Sequence, residues 1–291
     1  MPRTLGRIEE QIADTGEGLP SHATSAPPLL TTANPAPTRP TGRLLSPSSV
    51  SLYLSCPQAW YLKYIERVPD MNVAPEPVEG TALHAVLAAN NLHKIAEGDD
   101  LDPILLRSMW DDTWATKKKE ITAWEDEKDE KIQERGRDFL TLYRARYAHN
   151  IDPISAEKHV EGEILGVGVH GYVDLVRKED EGKTSRIVDY KVTGRAKGEG
   201  ELLSGIQLGV YATLLDVAQV EFISFVKTKE PKIERVKGTR TPDSLAKTAR
   251  VVQAVDEATK KGAFPFTDPT SWKCCARYCG QWHACPQGGK G

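Results

Sequence analysis

The sequence predicts an α/β protein in which a helical front half precedes a mixed sheet. Two observations support this prediction. Residues up to about 150 carry apolar side chains at helical spacing among many charged residues, whereas residues 155–178 and 185–192 are rich in Val and Ile, alternate in polarity and contain several glycines. A further helical segment then separates these strands from a second strand-rich part, an order that is typical of α/β domains.

Residues 1–43 are predicted to form a disordered tail. The run from Ser21 to Gly42 has five Pro and five Thr, almost no charge and no periodic apolar residues. Such a segment cannot bury enough apolar surface to offset the entropy cost of ordering it. We therefore expect one folded domain over residues 44–291.

The domain is expected to begin with helices. Ser46-Pro47 predicts a helix start, because Ser caps free amide groups and Pro fits the first helical position. A break is predicted at Cys56-Pro57, before a second helix. Further helices are predicted over about 79–96, 103–119 and 123–149. The charged stretch of about 98–150 is interpreted as a helical insertion in the domain.

The second half of the chain is expected to build the sheet. After the first two strand segments, the pattern predicts a helix over about 202–217, strands near 220–227 and 232–237, and a helix over about 242–261. A segment rich in Cys and Trp, residues 270–286, follows this last helix.

Composition restricts the class of protein. Of the 291 residues, 39% are hydrophobic and 27% are charged, with a net charge of −3, which excludes a disordered chain and a polycation. No apolar run approaches the roughly 18 residues that a membrane helix needs, and Glu9, Glu10 and Asp14 stand where a signal peptide has its apolar region. We therefore expect an intracellular, cytoplasmic protein without a membrane partner.

Charge is distributed unevenly along the chain. Between Ile223 and Gly262 there are ten Lys or Arg residues and five Asp or Glu residues. A basic third on an otherwise near-neutral protein permits a polyanion partner on one face. The alternative is an ordinary solvated helix surface.

Two aspartates stand in the middle of apolar strand segments, Asp174 in GYVDLV and Asp189 in RIVDYKV. Asp is disfavoured in strands and is rarely buried unless it is paired or binds a ligand. A hairpin of the two segments would bring both carboxylates together, and a divalent cation between them would offset their repulsion. Lys191 shares the face of Asp189, because side chains two apart in a strand point the same way. The alternative is a buried Asp–Lys ion pair.

Four short motifs, in their order along the chain, resemble the RecB-type branch of the PD-(D/E)XK nuclease superfamily. They are Gly80-x-x-x-His84, Gly171-Tyr172-Val173-Asp174, Asp189-Tyr190-Lys191 and Gln207-x-x-x-Tyr211. The resemblance spans residues from about 46 to the C-terminus. It implies a restriction-endonuclease-like core, in which helices flank a central mixed sheet, with a helical insertion in front and a Cys-rich segment behind.

The resemblance also implies a role for each of these residues. The ligands of Mg²⁺ or Mn²⁺ would be His84, Asp174, Asp189 and the carbonyl oxygen of Tyr190. Lys191 would be the catalytic lysine, while Gln207 and Tyr211 would support the site or touch the DNA backbone. RecB-type nucleases often have a glutamate on the first strand, and the sequence offers three for that place: Glu157, Glu161 and Glu163. We favour Glu161.

The five cysteines are placed asymmetrically, with Cys56 far from the group Cys274, Cys275, Cys279 and Cys285. An odd number of cysteines favours free thiols, and clustered thiols in an intracellular protein favour a metal. Some members of the same nuclease branch, among them AddB-type repair nucleases and CRISPR-adaptation nucleases, carry one Cys before the nuclease core and three after it. There the four thiols bind an iron–sulfur cluster.

By this resemblance, a [4Fe–4S] cluster would be held by four ligands: Cys56, Cys274, Cys279 and Cys285. Cys275 is the alternative to Cys274, because the usual spacing fits neither of them. Zinc, with His283 as one of its ligands, is the alternative to the cluster.

Together with the resemblance, these residues predict a metal-dependent deoxyribonuclease. We expect an exonuclease that acts on single strands or duplex ends in recombination, repair or phage DNA processing. The basic stretch Lys227–Arg250 would contact phosphates. Trp272, Tyr278 and Trp282 would either stack on unpaired bases or pack around the cluster. The alternative is a non-catalytic DNA-binding scaffold subunit with the same fold.

One apparent nucleotide-binding motif does not hold. Gly182-Lys183-Thr184 resembles the end of a phosphate-binding loop, but such a loop needs glycine at position 177, which is Arg177. We therefore expect that any helicase or recombination protein acting with this chain is a separate protein.

Overall fold

The computed structural model describes residue 39 and residues 42–124, 128–179 and 182–288. Most of the predicted tail, residues 1–43, lies outside the described residues. Its described part contacts the domain: the guanidinium group of Arg39 forms an ion pair with Asp256, and Arg43 donates a hydrogen bond to the carbonyl oxygen of Tyr64 at 2.5 Å.

The order of elements follows the predicted change from helices to strands. The α-helices are α1 Pro47–Ser55, α2 Pro57–Tyr64, α3 Pro75–Glu97, α4 Pro103–Lys117, α5 Asp129–Arg146, α6 Glu199–Ser204, α7 Ile206–Leu215 and α8 Pro242–Lys260. The strands are β1 Pro153–Ile164, β2 Val167–Glu179, β3 Thr184–Thr193, β4 Gln219–Val226 and β5 Lys232–Thr239. Single 3₁₀ turns cover Lys118–Glu120, Ala148–Asn150 and Trp282–Ala284.

Helix starts follow the local signals. The Ser46 hydroxyl accepts a hydrogen bond from the Ser49 amide at 3.1 Å and so caps α1. Cys56 ends α1 and caps α2, because its sulfur accepts from the Ala59 amide at 3.4 Å. The predicted single helix over about 202–217 is wrong, since Gly205 has an extended backbone between α6 and α7.

In the described part of the chain the strands form one five-stranded mixed sheet in the order β1-β2-β3-β4-β5. Neighbouring strands are antiparallel except β3 and β4, which are parallel. The parallel pair follows from the connection through α6 and α7, because such a crossover returns the chain to the edge where β3 began. The structure thus confirms the mixed sheet flanked by helices.

Each face of the sheet is covered by helices. On one face α3, α4 and α5 enclose a core in which Phe139 of α5 meets Phe225 of β4 edge to face. On the other face α1, α7 and α8 pack against the strands. The predicted helical insertion, about 98–150, therefore lies over the first face. Within the described residues, no helix is both long and apolar enough to cross a membrane.

The β2–β3 ladder ends partway along β2. Its last pair is Leu175 with Val188. Beyond that point Leu45 takes the place beside β2, accepting from the His170 amide and donating to the Gly168 carbonyl, both at 3.0 Å. The two strands therefore diverge at Asp174 and leave room for side chains inside the sheet.

Candidate active site

Two buried carboxylates stand where β2 and β3 diverge. Asp174 is 8% exposed and Asp189 is 1% exposed. The Tyr190 amide donates to Asp174 Oδ2 at 2.8 Å. Lys191 Nζ lies 2.7 Å from Asp189 Oδ2 as an ion pair, yet among the described residues neither Asp189 oxygen has a hydrogen bond of normal geometry. Burying a carboxylate without well-formed hydrogen bonds costs folding free energy unless a cation binds it.

His84 approaches the carboxylates from α3. Its Nδ1 is 3.5 Å from Asp174 Oδ1, and its Nε2 is 2.9 Å from the Tyr190 carbonyl oxygen. The imidazole therefore lies between a β2 side chain and the β3 main chain. This arrangement places His84, Asp174 and the Tyr190 carbonyl together, as expected for a metal site.

The glutamate that the structure brings to the site is Glu157, not the favoured Glu161. One ligand atom each of Glu157, His84 and Asp174 lie within 4.8 Å of one another. Glu157 and Asp174 both lie between the β1–β2 pairs Ala156–Leu175 and Lys158–Val173, whereas Glu161 pairs with His170. Four residues further along a strand is roughly 13 Å away. Glu157 also has a positive φ of 45°, a strained conformation of the kind that clusters at functional sites.

The side chains of the site shift one another's pKa values. Burial raises the pKa of Asp189 to about 6, with Asp174 adding to the effect and Lys191 opposing it. Burial also raises the pKa of Glu157, and Asp174 adds to this shift. For His84, burial favours the neutral ring, but the hydrogen bond and charge of Asp174 outweigh it, so the pKa is raised. Carboxylates that are costly to ionise together are typical of a cation site.

The remaining predicted residues complete the same site. Lys191 Nζ donates to Gln207 Oε1 at 3.1 Å. The buried Tyr211 ring lies against Gly171, where a Cβ atom would be 2.7 Å from the ring. Burial, followed by the charges of Asp174 and Asp189, raises the pKa of the Tyr211 hydroxyl. α7 thus places Gln207 against Lys191 and Tyr211 beside the carboxylates.

Some residues that support the site belong to none of the sequence motifs. The Tyr190 side chain points away from its own carbonyl into the α3–α5 core, where its hydroxyl contacts Asn91 at 3.1 Å and Tyr143 at 3.0 Å. Burial raises the pKa of Tyr190 to about 12, so the hydroxyl stays neutral. These contacts fix the backbone segment that faces Asp174 and His84.

The residues of the site fit Mg²⁺ or Mn²⁺. Carboxylate and carbonyl oxygens suit both ions, and an imidazole suits Mn²⁺. The site contains three carboxylates, Glu157, Asp174 and Asp189, and one ammonium group, that of Lys191, which pairs with Asp189. With a neutral His84 the site therefore carries a net charge of −2, which a divalent cation balances.

The predicted cluster ligands gather around a separate cavity of about 840 Å³. Its lining includes four of the thiols: Cys56, Cys274, Cys279 and Cys285. Cys275 does not line it and instead directs its sulfur to the Trp272 carbonyl oxygen at 3.4 Å. His283, the alternative zinc ligand, is exposed and does not line it either.

The four thiols are spaced widely. No three thiols among the described residues have sulfur atoms that all lie within 4.8 Å of one another. Burial raises the pKa of Cys279, and it raises the pKa of Cys274, to which the neighbouring thiols of Cys285 and Cys56 add. Cys56 and the three C-terminal thiols therefore share one environment.

The Cys-rich segment docks on the loop between α2 and α3. The Met71 amide donates to the Gly280 carbonyl at 3.2 Å, and Gln281 donates to Asp70. A Cβ atom on Gly280 would lie 2.3 Å from Asp70 Oδ1, so only glycine permits this contact. The segment is held by these bonds as well as by its thiols.

Comparisons with known proteins agree with this architecture. A family model of the PD-(D/E)XK nuclease superfamily matches residues 44–286. Among solved structures, the chain is similar to a candidate exonuclease from Eubacterium rectale, with 14% identity, a TM-score of 0.48, and coverage of 79% of this chain and 86% of that one. It is also similar to the protein SSO0001, with 15% identity, a TM-score of 0.35, and coverage of 82% and 92%. No curated protein matches the chain.

Proposed function

Because the chain belongs to the PD-(D/E)XK nuclease superfamily, we propose that it is a RecB-type, Mg²⁺- or Mn²⁺-dependent exonuclease that hydrolyses phosphodiester bonds in DNA. The proposal assigns metal binding to five residues: His84, Glu157, Asp174, Asp189 and the carbonyl of Tyr190. It assigns catalysis to Lys191, supported by Gln207 and Tyr211.

One observation carries the proposal, namely the condition of Asp189. A plain Asp–Lys ion pair would satisfy the carboxylate by hydrogen bonds and would leave the site neutral. Here Asp189 is almost fully buried, and burial together with the charge of Asp174 raises its pKa even with Lys191 Nζ 2.7 Å away. Asp174 in turn forms a compact group with His84 and Glu157. One lysine cannot balance three carboxylates, whereas one lysine and one divalent cation can.

Each protein group has a defined task in this reaction. When bound, a divalent cation activates a water molecule and polarises the phosphate. The ammonium group of Lys191, held between Asp189 and Gln207, is fixed in place to stabilise the negative charge that develops on a phosphate oxygen. Gln207 accepts one hydrogen bond from the ammonium group and Asp189 forms an ion pair with it, so an N–H group remains for the substrate.

The test is cleavage of end-labelled single- and double-stranded DNA in Mn²⁺ or Mg²⁺. Lys191→Ala should lower the rate by about 100-fold or more, as expected for loss of one transition-state donor. Lys178→Ala, which removes an exposed lysine at the far end of β2, should leave the rate unchanged. Metal-independent DNA binding without cleavage under any divalent ion would instead support the non-catalytic scaffold.

We also propose that Cys56, Cys274, Cys279 and Cys285 hold a [4Fe–4S] cluster rather than zinc. Tetrahedral zinc with bonds of about 2.3 Å brings its sulfur ligands to about 3.8 Å from one another. No three of the described thiols have sulfur atoms within even 4.8 Å of one another, and His283 does not line the cavity. A cluster accepts four widely spaced thiolates, because each binds a different iron atom.

The biological process is proposed on the resemblance to RecB-type nucleases. A nuclease of this kind would act in recombination, repair or phage DNA processing. Unwinding would be supplied by a separate helicase or recombination protein, since Arg177 stands where a phosphate-binding loop needs glycine. Co-purification of an ATPase with the tagged chain, and stimulation of DNA degradation by ATP only in that complex, would test this.

A further inference from the structure

Two large aromatic side chains of the Cys-rich segment lie open to solvent. Trp272 is 67% exposed and Tyr278 is 56% exposed. Their ring centroids are 5.0 Å apart at an interplanar angle of 83°. Trp282, in contrast, is half-buried and packs so closely on Gly288 that a Cβ atom there would be 2.8 Å from its ring. Of the three aromatic residues, Trp282 packs inside the segment, and Trp272 and Tyr278 do not.

A cation accompanies each exposed ring. Lys273 Nζ lies 5.4 Å from the centroid of the Trp272 ring. Arg277 Cζ lies 5.6 Å from the centroid of the Tyr278 ring. Both distances are within the range of cation–π attraction. Aromatic faces beside cationic groups are the combination by which proteins bind unpaired nucleotides, with bases on the rings and phosphates at the cations.

The pair stands at the cavity that the thiols line. Tyr278, Lys273 and Arg277 all belong to the lining. The charged side chains in the lining are Lys63, Lys131, Lys227, Lys273 and Arg277 on the basic side, and Asp70 and Glu76 on the acidic side. Lys63 and Asp70 pair with each other at 2.6 Å, so the cavity keeps an excess of positive charge, which suits a polyanion.

One lining residue, Lys227, lies next to the elements that carry the carboxylate site. The Lys227 amide donates to the Thr193 carbonyl at 2.8 Å, and Thr193 is two residues, roughly 7 Å, beyond Lys191 on β3. The Lys227 side chain also lies 3.8 Å from Glu79 of α3, which is five residues, about 7.5 Å of helix, before His84. β3 and α3 therefore join this side of the cavity to the proposed metal-binding residues.

We propose that Trp272 and Tyr278 form a stacking platform for unpaired bases of a single DNA strand, whose phosphates contact the basic lining of the cavity. The occupant is a single strand because base faces can stack on these rings only when the bases are not held in a duplex. This inference rests on the proposed nuclease function, which it extends by naming the form of DNA that the protein engages.

The test measures binding of a fluorescent single-stranded 12-mer by anisotropy in EDTA, where no cleavage occurs. The double variant Trp272→Leu/Tyr278→Leu keeps apolar bulk but loses both rings, and we expect at least a tenfold loss of affinity. Trp272→Phe/Tyr278→Phe should bind nearly as the wild type does. Ile104→Ala/Leu105→Ala, which removes exposed apolar side chains of α4, is the control for general surface effects.

An abasic strand of the same length separates the contribution of base stacking from that of phosphate charge, because it lacks the bases but keeps every phosphate. The wild type should bind it at least tenfold more weakly than the normal strand, and the Leu variant should bind both strands alike. Equal affinity of the wild type for the two strands, or wild-type affinity of the Leu variant for the normal strand, would overturn the platform.

Hydrolysis of thymidine 5′-(p-nitrophenyl phosphate) in Mn²⁺ keeps the two hypotheses apart. This ester can occupy the carboxylate site without reaching the aromatic pair. The Leu variant should hydrolyse it at the wild-type rate, and Lys191→Ala should not. If the wild type fails to cleave both this ester and DNA, the nuclease function is wrong. The binding results for the two strands still decide the platform in that case.

Discussion

Tyr190, two residues beyond the last β2–β3 ladder pair Leu175–Val188, donates its amide hydrogen to Asp174 Oδ2 at 2.8 Å. A side-chain oxygen thereby takes the place of the next main-chain acceptor. The carbonyl of the same residue faces His84, and its hydroxyl is held by Asn91 and Tyr143. One residue of β3 therefore orients candidate metal ligands from β2 and α3 at once, and its own position is fixed by the core.

Glu157 is expected to be the metal-binding glutamate of β1. Glu157→Gln should raise the Mn²⁺ concentration needed for half-maximal DNA cleavage at least tenfold, because it removes a charged oxygen ligand beside His84 and Asp174. Glu161→Gln is the matched control and should behave as the wild type does. Equal effects of the two substitutions, or a larger effect at Glu161, would contradict the assignment.

Metal binding should stabilise the folded protein. A cation that binds only the native state at 100 times its Kd contributes about 2.7 kcal/mol, so Mn²⁺ should raise the unfolding temperature by several degrees and EDTA should reverse the rise. Asp189→Asn should remain folded but lose most of this response. A Mn²⁺ response that persists in Asp189→Asn would mean that the ion binds elsewhere.

Gly171 should be intolerant of a side chain. Gly171→Ala places a methyl group 2.7 Å from the Tyr211 ring, and this overpacking should cost about 1–3 kcal/mol of unfolding free energy. Gly80→Ala is the control, because no atom lies within 4 Å of its Cβ position in α3. It should gain about 0.5–1 kcal/mol, since Gly is unfavourable in a helix interior. Urea unfolding measures both values.

The ion network at the other end of β2 should give a defined acid dependence of stability. Burial alone would raise the pKa of Glu179, but Arg186, Lys237 and Arg177 outweigh it and hold the pKa at about 2. Because the folded pKa lies below the ordinary value, the stabilisation is complete above about pH 4.5 and is lost as the pH falls toward 2. The wild type should therefore exceed Glu179→Gln in stability at neutral pH, and the difference should shrink below pH 4.5. A constant difference in urea unfolding from pH 7 to pH 3 would contradict this.

The two adjacent cysteines should differ in their role. Cys274→Ser should abolish bound iron and visible colour in anaerobically purified protein, whereas Cys275→Ser should retain both, because only Cys274 lines the shared cavity. Cys56→Ala should also lower the free energy of unfolding. A cross-link that closes a loop of 100 residues contributes about 4.7 kcal/mol to stability in the chain-entropy estimate, and the loop between Cys56 and Cys274 is longer than that. If Cys275→Ser lost the iron and Cys274→Ser kept it, Cys275 and not Cys274 would be the cluster ligand.

The sheet could be predicted because its strands are apolar segments rich in Val and Ile that are bounded by turn residues. Asp174 and Asp189 interrupt these apolar segments and so mark the candidate site, and the short motifs around them point to the same residues. The break at Gly205 was missed, since the residues on both sides of it keep helical spacing. Local periodicity does not register one extended glycine between two helices.

The choice of glutamate could not be made from the sequence for a different reason. Glu157, Glu161 and Glu163 all have the same parity on β1 and share one face, so only the register with β2 separates them. The partners of the Tyr190 hydroxyl, Asn91 and Tyr143, come from helices about 100 and about 50 residues away, respectively. Their contact depends on how those helices pack, for which the chain carries no local signal.

The docking of the Cys-rich segment sets an order of events during synthesis. Asn72 donates to the Ala276 carbonyl across 204 residues, and Gln281 donates to Asp70 across 211. The last strand of the described sheet ends at Thr239, so the carboxylate residues and the strands that carry them are synthesised before the residues that dock on the α2–α3 loop. In a nascent chain Cys56 therefore precedes the other thiols of the cavity by more than 200 residues.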